Sequence, residues 1–78
     1  MTQNEVIIEA LEALGGEGTI KEVCAWMDEM YPNRWKDYGT AMADMVPVYL
    51  GGNNTSNVKD ELRILERMAL GRYRLIYK

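Results

Sequence analysis

Apolar positions recur at helical spacing twice in the first half of the chain. Val6, Ile7, Ala10, Leu11 and Leu14 form one stripe, with Glu5, Glu9 and Glu12 opposite, which predicts a helix from about Thr2 to Leu14. Thr2-x-x-Glu5 at its start fits a capping box, in which hydroxyl and carboxylate each satisfy a free amide. Gly15-Gly16 stops the helix. A second capping box, Thr19-x-x-Glu22, opens a helix whose stripe is Ile20, Val23, Cys24, Met27 and Met30, with Trp26 at its edge; Gly18-Thr19 can add a very short strand. Pro32 blocks continuation past Tyr31 and makes 31–36 a connection.

A third helix follows, with Asp37 as its cap and Tyr38, Ala41, Met42, Met45 and Val46 as its buried face. Pro47 ends or kinks it, and Val48-Tyr49-Leu50 adds a last turn. Gly51 to Asn57 is a turn-rich loop, expected to be mobile. The remainder reads as a hairpin: Leu62 to Met68 as one strand, Ala69-Leu70-Gly71 as the turn with Gly71 at positive φ, and Arg72 to Tyr77 as the second strand. Tyr73, Leu75 and Tyr77 face one way, and Arg72, Arg74 and Ile76 the other. A lone hairpin is unstable in water, so its apolar face must lie on the helices. The expected fold class is therefore α+β, a single domain over residues 1–78 with three helices followed by a C-terminal two-stranded hairpin. Leu11, Ile20, Val23, Met27, Leu65 and Leu75 are expected in its core.

This order carries a family pattern. Ile8-Glu9-Ala10-Leu11-Glu12-Ala13-Leu14-Gly15-Gly16-Glu17-Gly18-Thr19-Ile20-Lys21-Glu22-Val23 resembles the opening of small prokaryotic and archaeal winged-helix domains. Leu65-Glu66-Arg67-Met68-Ala69-Leu70-Gly71-Arg72-Tyr73-Arg74-Leu75 resembles their terminal wing. The third helix and the 51–58 loop do not match the pattern. The resemblance implies a winged helix, a fold found alone and attached to restriction or transcription-associated proteins, and a double-stranded DNA partner. It implies that the third helix enters the major groove, which makes Lys36, Tyr38, Thr40 and Asp44 the residues that face DNA. Arg72 and Arg74, two apart on one strand face, would meet phosphate or the minor groove. The bland alternative is that these arginines solvate an exposed strand and discourage edge aggregation.

Charge changes this picture. The net charge is −3, but it is unevenly spread. Residues 1–31 carry seven acids and one base, residues 32–58 balance, and residues 59–78 carry six bases and three acids. Asp37 and Asp44 in the third helix repel phosphate, and Gly39, Ala41 and Ala43 give it little reach. A protein-interaction module on the same scaffold is the competing reading, with the acidic face of the first helix (Glu5, Glu9, Glu12) or a Trp/Met surface as its contact. A protein partner or a homodimer fits either reading.

Catalysis has little to work with. The chain has no histidine, so it lacks the commonest general base and a major metal ligand. Its one cysteine, Cys24, lies on an apolar stripe, forms no internal disulfide, and indicates a reducing, cytoplasmic location. Gly15-Gly16-Glu17-Gly18 lacks the Gly-Lys-Ser/Thr of a phosphate-binding loop. The expectation is no enzyme, no metal and no cofactor. No apolar run is long enough to span a bilayer.

Overall fold

A computed structural model describes residues 2–76. Its elements run α1 (Gln3–Ala13), β1 (Glu17–Thr19), α2 (Ile20–Met30), α3 (Tyr38–Asp44), two short 3-10 turns (Val48–Leu50 and Asp60–Leu62), β2 (Leu65–Ala69) and β3 (Arg72–Leu75). The architecture is α+β, with three helices against an antiparallel sheet. Both capping boxes are complete. The Thr2 and Thr19 hydroxyls accept from the amides of Glu5 and Glu22, whose carboxylates accept in return from the amides of Thr2 and Thr19. These bonds hold the Glu5 and Glu22 carboxyls below the ordinary range, the returning backbone amide being the larger cause.

The sheet has three strands, where the alternation predicted a hairpin of two. Its order is β1-β3-β2, so β3 is central and both neighbours bond to it alone. The third strand is the short segment around Gly18, which pairs with Tyr73. Three residues are too few to show a period of two, so only the glycine-threonine punctuation marked it. β2 begins later than expected, because Asp60–Leu62 turns as a 3-10 helix first. A bulge between Arg67 and Ala69 shifts its register, and the hairpin closes at Leu70-Gly71 with Gly71 at φ +74°.

The core joins Val6, Ile7, Ala10 and Leu11 of α1, Val23 and Met27 of α2, and Tyr38 and Met42 of α3 to Met45, Val46, Leu65, Tyr73 and Leu75. Ile20, expected inside, is only half-buried; it lies beside Gly39 at the α2–α3 contact. Tyr77, assigned to the apolar face of the last strand, lies outside the described residues. No described helix is long and apolar enough to cross a membrane.

Eighteen residues, 46 to 63, form one long loop between α3 and β2, and Arg63 closes it. Its side chain is buried, at 7 % exposure. Nε donates to the Val58 carbonyl (3.2 Å), Nη1 to Val46 (3.2 Å), and Nη2 to Asn53 (2.9 Å) and Ser56 (3.3 Å). A planar guanidinium has five N–H donors in a fixed fork, so one side chain can gather four carbonyls that helix and sheet leave unpaired. Gly52 tightens the same knot. A Cβ there would lie 1.8 Å from the Val46 carbonyl oxygen, so any larger residue must displace the backbone. The turn-rich stretch Gly51 to Asn57 lies inside this loop and is tied to Arg63 through the Asn53 and Ser56 carbonyls.

Candidate functional site

α3 is short, and the connection before it is well anchored. The Gln3 side-chain amide donates to the Lys36 carbonyl (2.7 Å), tying the start of α1 to the entry of α3. Trp35 is half-buried and packs edge-on to Tyr31 with ring centroids 5.7 Å apart. The Arg34 guanidinium lies 5.1 Å from the Trp35 ring centroid. Asp37 occupies the N-cap position but does not cap. Its backbone is left-handed, φ +56°, and its side chain makes no capping bond.

Of the residues expected to face DNA, Lys36 and Thr40 are exposed and share one shallow depression. Gln3, Asn4, Asp37 and Asp44 line it too, so carboxylates stand beside its single cation. Tyr38 does not belong with them. It is 8 % exposed, and its hydroxyl donates to Asp28 of α2 at 2.8 Å. Left-handed Asp37 turns the chain so that the first helical residue points inward, and the phenol latches α3 to α2. Burial pushes the Tyr38 phenol up to about 12, with the Asp28 carboxylate adding to the effect. Cys24 donates its thiol to the other Asp28 oxygen at 3.6 Å, and burial first, then Asp28, raises its pKa. A thiol held protonated in this way is a poor nucleophile.

Arg72 and Arg74 share the outer sheet face, as the alternation predicted, but each is engaged. Arg72 Nη2 lies 3.0 Å from the Glu17 carboxylate on β1, and Arg74 Nη2 2.6 Å from Glu66 on β2. The central strand thus sends one cation to each flanking strand, and this face of two arginines and two glutamates is neutral. Lys36 lies on the α3 side, among acids.

Sequence reasoning missed the 46–63 loop as a surface. Its first 3-10 turn carries Val48, Tyr49 and Leu50, three consecutive apolar side chains, all exposed, with Tyr49 at 80 %. Pro47, Val48, Tyr49, Asp60 and Arg63 line a groove of about 620 Å³ beside it. The sequence predicts Val48-Tyr49-Leu50 as a last turn of the third helix, whereas it forms a separate 3-10 turn. Only the Arg63 bonds, 5 to 17 residues away in sequence, reveal that it is held outward.

No family model, characterised protein or solved structure is detectably similar to this chain.

Among the described residues, no three Cys, Asp or Glu side chains gather as metal ligands.

Proposed function

We propose that this chain is a protein-interaction module on a winged-helix scaffold, with the Arg63-fastened loop as its docking element. The observation that carries the reading is the exposed Val48-Tyr49-Leu50 turn in a loop that Arg63 hydrogen-bonds together. Isolated apolar residues on a surface need no explanation, but a contiguous run beside a groove marks a contact site. The strand order β1-β3-β2 behind three helices, with β2 and β3 as a hairpin, supports the winged-helix scaffold.

The acidic face of α1 is a weaker contact than the loop, because the Glu5 carboxylate is engaged in its own cap. Duplex DNA is the second reading, favoured by exposed Arg34, Lys36 and Thr40 at the entry of α3. Magnitudes rank it lower. Duplex affinity comes mainly from cations that displace counterions from phosphate. A neutral sheet face and a depression holding Lys36 beside Asp37 and Asp44 supply few.

Fluorescence anisotropy with a mixed-sequence duplex separates the readings. The expected result is no binding at about 100 μM protein in low salt, the weak end of ordinary non-specific affinity. Saturable binding that weakens with salt and with Lys36→Ala would reverse the ranking. A second measurement bears on the loop. Tyr49→Ser is expected to change stability by less than about 0.5 kcal/mol, as at ordinary surface sites. A large loss would make Tyr49 a structural residue and remove the docking element.

A further inference from the structure

The hairpin tip is the second exposed apolar feature of the molecule. Leu70, at the turn, is 92 % exposed, and Met68 stands half-exposed at the bulge behind it. Beside them Arg67 is exposed and, among the described residues, makes no ion pair, unlike Arg72 and Arg74. The tip is an apolar knob with a free cation at its base.

The groove beside the Val48–Leu50 turn has the opposite character. Its apolar lining comes from Pro47, Val48 and Tyr49. On its wall the Arg63 guanidinium is turned inward to four carbonyls, while the Asp60 side chain is fully exposed, its carboxylate 4.0 Å from Arg63 Nε. The groove therefore presents apolar surface with one exposed carboxylate, Asp60, at its edge, and the knob presents apolar surface with one exposed cation, Arg67.

One molecule cannot join its own knob to its own groove. The Leu65 amide donates to the Met45 carbonyl at 3.1 Å, so β2 starts at the base of the loop. The tip lies at the other end of β2, five residues on and roughly 17 Å away at about 3.3 Å per residue. The match is between molecules.

We infer that the hairpin tip of one copy docks in the loop groove of a second copy, Leu70 and Met68 on Val48 and Tyr49, with Arg67 against Asp60. This rests on the reading of the loop as a docking element, and it names the occupant. The two patches differ, so the contact is head-to-tail. Each copy keeps one unused knob or groove, and association continues as a chain or closes as a ring. Each patch consists of only a few side chains, so association is weak and concentration-dependent.

Sedimentation velocity on the full chain, from about 10 μM to about 1 mM, tests this over the affinity range of small interfaces. The wild type is expected to shift progressively to larger species. Leu70→Glu and Tyr49→Glu are each expected to stay monomeric with unchanged melting temperature. Mixed in equal amounts they are expected to form a 1:1 heterodimer and nothing larger, since one supplies an intact groove and the other an intact knob. Arg67→Glu is expected to weaken association about tenfold or more by placing like charges together, and adding Asp60→Arg to restore it. The charge swap also carries the test if either glutamate variant fails to fold. A wild type that stays monomeric at about 1 mM overturns the inference. So does a dimer that both glutamate variants abolish and mixing does not restore, because that contact joins identical patches. A monomeric wild type with a fully stable Tyr49→Ser leaves the docking loop to a different polypeptide, whereas an unstable Tyr49→Ser removes the loop reading itself.

Discussion

Arg63 shows how one buried cation can be tolerated without a buried carboxylate partner. Its charge is dispersed over the dipoles of four backbone carbonyls. Arg63→Ala is expected to cost roughly 3 kcal/mol, in the range for breaking a buried charged network. Arg63→Lys is expected to recover little, because a point ammonium cannot reproduce the fork. Urea denaturation gives the magnitude, and faster amide exchange at Gly52, which donates to Pro47, locates the loss in the loop. Tyr38 is the second decisive residue. Tyr38→Phe deletes the 2.8 Å bond to Asp28 and is expected to cost about 1 kcal/mol at neutral pH. The alkaline limb carries the sign. Below its unfolded pKa near 10 the phenol is protonated in both states and its contribution is complete. Between about 10 and about 12 the folded state alone keeps the proton, so stability falls as pH rises. The difference between wild type and Tyr38→Phe should shrink over that window. Neither role was legible in the sequence. Arg63 resembles any cation of a basic tail, and the phase of a seven-residue helix depends on the backbone of Asp37, which composition does not disclose.

The elements differ in how far the chain announces them. α1 and α2 were readable because their signals are local: a capping box, a stripe and a stop within a few turns. Thr19→Ala is expected to cost about 1 kcal/mol, a shift of several degrees in melting temperature for a domain of this size. The reciprocal carboxylates add an acid-side dependence. Glu5 and Glu22 titrate below their unfolded values in the folded state, so their contribution is complete above pH 4.5 and is lost as pH falls through the lowered pKa. Replacing both with glutamine should flatten the acid limb of a stability-against-pH curve. β1 and the 46–63 loop were not readable in full, because what defines them is distant. β1 exists through β3, more than 50 residues later, and the loop exists through Arg63. The ion pairs of the sheet face belong to this scale too. At roughly half exposure they contribute about 0–1 kcal/mol each, so Arg74→Ala should barely alter stability.

At the scale of the whole molecule, one core is shared by every helix and by β2 and β3, and Leu11 is fully enclosed in it. Leu11→Ala is expected to cost about 2–5 kcal/mol, enough to unfold a small domain near the lower end of the usual stability range. Thermal denaturation would show it, and an unchanged melting temperature would contradict the core described above. The position of β3 has a further consequence, for biosynthesis. The strand at the centre of the sheet is the last of the three to be made, and the two earlier strands bond only to it. Until residues 72 to 75 are made and released, the sheet-facing side of the helices has no finished sheet to cover it. The nascent chain therefore cannot complete its fold in the order of its synthesis. It must wait, with its apolar side open to chaperones, until Arg72 to Leu75 have left the exit tunnel and the sheet can close from its middle outward.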